Sequence, residues 1–223
     1  KTITNIREIF IQDIVRSDEE EQISKKLKEF GYTFLVGFKG VGKSHLAYNF
    51  AQRNSNSYSI IWYLEGTKDL KEQLKGLIHS ISDEKVSLES QDELSLFIQV
   101  KNYLLTQRLK TLIIFDNSIN SSQFQKILNM KEKENIEVII ISPSDVSYES
   151  KVKINTFTRD QSINYLKKNF LSFSETDANK LAEIAQDNPL ALSQSAHFLH
   201  YNKMISLNDY ERLHQDNLIS LWK

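Results

Sequence analysis

Residues 37–44 read Gly37-Phe38-Lys39-Gly40-Val41-Gly42-Lys43-Ser44 and meet the spacing G-x-x-x-x-G-K-[ST] at each defined position. Such a loop wraps backbone N–H groups around a polyphosphate, which calls for glycine where a β-carbon would block the turn or the ligand. Gly37, Gly40 and Gly42 stand there, with Val41 between the last two. Lys43 supplies a point charge for the outer phosphates, and Ser44 offers a hydroxyl to Mg²⁺. His45 and Leu46 carry the chain into a helix whose N-terminal amides and dipole favour the same anion. A second constellation follows in Thr111-Leu-Ile-Ile-Phe-Asp116, an apolar run ending in a carboxylate. Open α/β sheets bind ligands at that end of their strands, so Asp116 is the candidate to hold Mg²⁺ opposite Ser44, the Walker B pattern. The next residue, Asn117, can orient water but cannot accept its proton at neutral pH. Ser142, which ends the apolar run from Ile136, is placed to offer a hydroxyl toward a γ-phosphate or attacking water. Glu65 also ends an apolar run, but the expected strand order puts it on an edge strand distant from the phosphates.

These residues need strands and helices to position them, and the pattern supplies both. Tyr32–Val36 is a β-branched and aromatic run before the loop, and 45–53 carries apolar residues at helical spacing. Further strands are expected over 58–64, 111–116, 136–142 and, briefly, 151–156; helices over 18–30, 70–81, 91–108 and 123–131; and a polar loop over 82–90. Strands alternating with helices imply a mostly parallel sheet covered on both faces. After Thr156 the β-branched runs give way to Leu/Ala stripes over 158–170, 175–186, 189–201 and 207–221, which predicts a small four-helix unit. The expectation is an α/β fold, with a parallel P-loop NTPase sheet flanked by helices over 1–156 and a helical domain over 157–223.

Composition narrows the classes. With 28 basic and 29 acidic residues, a net charge of −1 gives no reason to expect a nucleic-acid or membrane surface. No cysteine occurs, which excludes a disulfide framework or thiolate metal site and suits the cytoplasm. No apolar run approaches the length of a membrane span. The chain begins at Lys1 without methionine and is expected to be a piece of a longer protein. His197, His200 and His214 read as surface or packing residues, because a pair three apart without a third ordered ligand does not make a metal site.

Taken together, the segments resemble the NB-ARC branch of the STAND nucleotide-switch ATPases. The loop is similar to that family's G-x-G-G-V-G-K-T, 58–63 to its Trp-bearing strand, 112–117 to Walker B, and 138–142 to its sensor strand. Phe157–Leu166 resembles the start of its helical domain, and Asp187-Asn-Pro-Leu-Ala-Leu192 its G-L-P-L-A-L segment. The resemblance implies ADP or ATP with Mg²⁺ as ligand, Pro189 on the adenine side, and Val15 and Arg16 lining the adenine pocket. It further implies self-association on activation through the full-length protein, together with other domains of the same chain. Three departures stand out: Asn188 replaces the glycine of G-L-P, Asn117 the second Walker B acid, and Ser142-Pro-Ser144 the sensor T-T-R. They imply slow hydrolysis at most. The expected function is therefore a nucleotide-dependent signalling switch. The alternatives are a non-hydrolysing nucleotide-bound scaffold and an AAA-type ATPase acting on nucleic acid, against which the neutral charge balance and the N-P-L-A-L segment both count.

Overall fold

The computed structural model describes residues 2–6, 14–82, 93–116, 128–129, 131–132, 135–142, 147–170 and 172–215. They form two compact units. The first comprises 1–8, 16–37 and 43–153, the second 9–15, 38–42 and 154–223.

The first unit is a six-stranded parallel sheet with the order β1-β3-β4-β5-β2-β6. Its strands are β1 (Ile3–Thr4), β2 (Tyr32–Val36), β3 (Ile60–Glu65), β4 (Thr111–Asp116), β5 (Ile136–Ser142) and β6 (Lys151–Lys153). Helices α1 (Ser17–Phe30), α2 (Lys43–Arg53), α3 (Leu70–Ile81) and α4 (Glu93–Thr106) accompany it. β4 and β5 are buried along their whole length, as expected of parallel strands covered on both faces, where Ile, Val, Leu and Phe replace alternation. Phe34, Ile60, Leu64, Leu74, Leu77, Phe115, Val138 and Ile140 form part of one apolar core. Each fully buried side chain of this size contributes about 1.5–3 kcal/mol relative to exposure.

Local chemistry sets the helix ends. α1 opens on Asp18, Glu19 and Glu20, matching the positive end of the helix dipole. It closes at Gly31, whose φ of 72° is left-handed and whose N–H returns to the Leu27 carbonyl. Asp69 caps α3 by accepting from the Lys71 and Glu72 N–H groups. α4 ends where Arg108 turns left-handed.

The structure corrects several expectations. β1 is an added strand, pairing Ile3 and Thr4 with Ile60 and Ile61; two residues are too short to show a hydrophobic period. Consequently β3 is the second strand of the sheet, not its edge, and Glu65 lies in register with Asp116. β3 begins at Ile60 because Ser55–Ser57 form a 3₁₀ turn, and β6 stops at Lys153. The sheet end of α2 starts earlier than its pattern indicated, so Lys43 and Ser44 are themselves helical. Most of the loop expected over 82–90, most of the helix expected over 123–131, and the end of the last helix lie outside the described residues.

The second unit packs four helices, α5 (Arg159–Asn169), α6 (Glu175–Ile184), α7 (Pro189–Tyr201) and α8 (Leu207–Gln215). Leu166, Leu181, Leu192, Ala196 and Tyr210 belong to its core, and the buried Tyr210 hydroxyl donates to Ser195 Oγ at 2.8 Å. Thr158 and Gln161 form a reciprocal capping box at α5. α6 ends before the expected Gln186 because Gln186 and Asp187 both have left-handed φ, 52° and 55°. Non-glycine residues seldom adopt that conformation, so something must hold it. Arg159 does so, donating from Nε and Nη2 to the two Asp187 carboxylate oxygens at 2.9 and 3.0 Å. Burial opposes ionisation of Asp187, but the hydrogen bonds and charge of Arg159 outweigh it and keep the carboxyl below its ordinary range.

Candidate functional site

Because every strand pair is parallel, the carboxyl ends of β2, β5, β4 and β3 fall along one edge of the sheet. Val36 pairs with Ser142, Phe115 with Ile140, and Glu65 with Asp116. That edge is where an open α/β sheet offers a ligand crevice. It carries the end of the strand before the glycine-rich loop, a serine and two carboxylates.

Lys43 opens α2 with a 9% exposed side chain, and its Nζ donates to the Gly37 carbonyl at 2.8 Å. Burial lowers its pKa, and the nearby charge of Asp116 partly restores it. Lys43 and Asp116 therefore lie within each other's field. Asp116 is 3% exposed. Its Oδ2 accepts from the Tyr63 hydroxyl at 2.9 Å, and the Tyr63 ring packs on that of Tyr48 of α2, with centroids 5.0 Å apart. Burial, foremost, and the Asp116 charge push both phenols above their usual range, so both remain protonated donors at neutral pH. Sequence reading missed these tyrosines. The available signals were the helical step from Ser44 to Tyr48 and the two-residue period that puts Tyr63 and Glu65 on one face of β3.

Ser44 and His45 are half-buried in the first turn of α2, and Val41 is fully buried. Ser142 is 1% exposed at the end of β5. Arg16 is also buried, 3.5 Å from Glu19, whereas Val15 is 56% exposed. Asn117 and Ser144 lie outside the described residues. Among the described residues no group of three or more His, Cys, Asp or Glu could hold a metal ion. A cation at Asp116 would draw its other ligands from hydroxyl, water and phosphate oxygens, a set that suits a small hard cation.

Within the second unit, loop residues 38–42 meet the start of α7. Asn188 caps that helix, its Oδ1 accepting from the Leu190 and Ala191 N–H groups, and Pro189 occupies the first turn, where its missing N–H costs nothing. Asn188 Nδ2 donates to the Lys39 carbonyl at 3.3 Å, and the Leu190 N–H reaches the Gly40 carbonyl at 3.1 Å. Gly40 has a φ of 85°, and a Cβ there would lie 2.8 Å from Asn188 Oδ1 and 3.0 Å from Leu190 Cβ. Gly42, at φ 92°, has open space around the same position. Gly40→Ala is therefore expected to cost about 2 kcal/mol or more in denaturant unfolding, since strain adds to collision, and Gly42→Ala about 1 kcal/mol from strain alone. Equal costs would contradict this account of the loop.

The NB-ARC domain model matches residues 16–175. Comparison with curated protein sequences gave no match. Among solved structures, the chain is similar to the Walker-type ATPase of Pyrococcus abyssi, with TM-score 0.65, 14% identity, and coverage of 92% of this chain and 72% of that one. The Aeropyrum pernix ORC2 protein, in ADPNP–ADP complexes, gives TM-score 0.66 and 11% identity over 94% and 70%. A STAND protein with a tetratricopeptide-repeat sensor from Pyrococcus horikoshii gives 0.58 and 20% over 82% of this chain and 29% of that one. Identities this low show a shared fold, and the chain spans under a third of the STAND relative.

Proposed function

The chain belongs to the NB-ARC family, and on that premise we propose that it is the ADP/ATP-binding switch module of a larger STAND-type signalling protein. The observation that carries this reading is the pairing of Lys43 with Asp116. A buried ammonium at the start of a helix and a buried strand-end carboxylate lie within each other's field. In the reading, Lys43 and the N-terminal amides of α2 hold the phosphates, with Gly37, Gly40, Val41, Gly42 and His45 shaping the loop around them. Ser44 and Asp116 would hold Mg²⁺, which supplies charge neutralisation of the β- and γ-phosphates when bound. Pro189 would face the adenine side, and Val15 and Arg16 would line its pocket. Ser142 and Asn117 would orient water, with hydrolysis slow at most.

The reading divides the chain at 156/157 into a nucleotide-binding and a helical domain. It expects self-association through the rest of the protein on activation, in the cytoplasm. No helix among the described residues is long and apolar enough to cross a membrane.

A switch requires a ligand to bind its two states unequally; one with equal affinity for both shifts nothing. Titration of the nucleotide-stripped chain with ADP and with ATP, each with and without Mg²⁺, tests this. The expected result is tighter ADP binding, and ATP binding that Mg²⁺ strengthens about tenfold or more through charge-paired oxygens. Asp116→Ala should remove that gain. Equal affinities for ADP and ATP, insensitive to Mg²⁺, would leave a nucleotide-bound scaffold in place of a switch.

A further inference from the structure

Four strand ends meet at the ligand edge of the sheet, and of Val36, Glu65, Asp116 and Ser142 two are carboxylates. Asp116 has a role as the candidate cation holder. The residue after it, Asn117, is an amide, so the strand that elsewhere would provide a proton acceptor beside the cation carboxylate does not provide one here. Glu65 is the other carboxylate, and its placement is defined. It pairs in register with Asp116 on the adjacent parallel strand. It shares a face of β3 with Tyr63, two residues back, and Tyr63 donates to Asp116. That face looks toward α2, because the Tyr63 ring packs on Tyr48 of that helix and the Tyr48 phenol feels the charges of both Asp116 and Glu65.

The backbone at Glu65 is also held on three sides. The Gln73 side chain brackets it, accepting from the Glu65 N–H at 2.7 Å and donating to its carbonyl at 2.9 Å. The Lys68 N–H donates to the same carbonyl at 3.0 Å, and the next residue, Gly66, donates its N–H to the Asp116 carbonyl at 2.7 Å. The last contact fixes the two strand ends to each other. The carboxylate itself is oriented by the Thr67 hydroxyl on Oε1 at 2.9 Å and by Lys68 Nζ on Oε2 at 2.6 Å. Each oxygen keeps a further lone pair for another donor. The backbone contacts fix where Glu65 stands, and the hydrogen bonds from Lys68 and Thr67 hold its carboxyl below the ordinary range, so it stands as an ionised acceptor.

We propose that Glu65 is the catalytic carboxylate for ATP hydrolysis in this chain, supplied from β3 in place of a second acid after Asp116. The proposal rests on the nucleotide-site reading above. The water oxygen bonds to the γ-phosphorus as the bond from that phosphorus to the β–γ bridging oxygen breaks. The electron pair of the broken bond leaves on ADP, and a proton of the water passes to a Glu65 carboxylate oxygen.

The test compares the unmodified chain, Glu65→Gln and Lys43→Ala. Each is stripped of nucleotide, titrated with ADP, then loaded with Mg²⁺–ATP and sampled over time for the identity of the bound nucleotide. The expected result is unchanged ADP affinity in Glu65→Gln, bound nucleotide that persists as ATP, and conversion to ADP slowed at least about tenfold. Unaltered affinity separates loss of chemistry from loss of structure. Should the glutamine variant fail to bind ADP, Glu65→Ala is read by the same criteria. The proposal is overturned if Glu65→Gln converts ATP as fast as the unmodified chain, or if the unmodified chain binds ATP without ever converting it. Failure of the unmodified chain to bind either nucleotide is a different result, and it overturns the site reading itself.

Discussion

Lys43→Ala is expected to weaken ADP binding by about 100-fold or more, equivalent to ~3 kcal/mol, because a charge-assisted contact to phosphate is lost and the phosphate keeps its desolvation cost. The ammonium is already positioned for the task. It is 9% exposed and held 2.8 Å from the Gly37 carbonyl at the head of the loop, so little ordering remains to be done when phosphate arrives. The same substitution should leave the ligand-free fold almost as stable. Burial disfavours the charged lysine and the charge of Asp116 offsets part of that cost, so its removal relieves an unfavourable term while losing the hydrogen bond to Gly37. Titration calorimetry on stripped protein, with thermal unfolding alongside, separates the two effects. Parallel loss of binding and of stability would mean that Lys43 acts through the fold.

Phe115→Ala should have the largest effect on stability. Phe115 has no exposed surface and sits in β4, between Leu64 of β3 and its register partner Ile140 of β5. It belongs to the same core as Phe34, Val138 and Ile140. Deleting a fully buried phenyl ring costs about 3–5 kcal/mol through lost transfer energy and the cavity left behind. Against a total of about 5–15 kcal/mol for a domain, this is enough to populate unfolded chain. The next residue is Asp116, so the variant that folds should also lose nucleotide affinity by displacing the carboxylate. Urea unfolding checks the first effect; a cost below about 1 kcal/mol would mean that the centre of the sheet is not packed as described.

Strands with strong β-branched runs were legible because burial on both faces demands those residues at each position. Ile136–Ser142 and Thr111–Asp116 emerge within their expected bounds for that reason. The four helices after Thr156 were equally legible from their apolar stripes, although α6 stops early at a left-handed turn whose conformation depends on Arg159, which lies 28 residues from Asp187. Long-range pairing was not legible. β1 is two residues long, and its attachment to β3 is reinforced by the Asn5 side chain, which donates to the Tyr63 carbonyl and accepts from its N–H. No local period encodes such contacts.

The candidate site divides in the same way. The loop and Asp116 could be found from residue type and spacing, because polyphosphate chemistry constrains glycine, lysine and an acid in a fixed order. The Tyr48–Tyr63–Asp116 cluster was missed: residue spacing puts each tyrosine on a face, but their meeting depends on register between strands and on the face that α2 covers. Glu65 was misplaced for the same reason: without β1 its strand looked like an edge, and without the register its carboxylate had no neighbour.

The central claim is that the loop with Lys43 binds a nucleotide. Its most direct test is to load the stripped chain with ADP, remove free nucleotide by gel filtration, denature the protein and quantify what is released, with Lys43→Ala carried through the same steps. The account predicts ADP equimolar with the unmodified chain and only traces from the variant. Traces from both, or equal amounts from both, would contradict it.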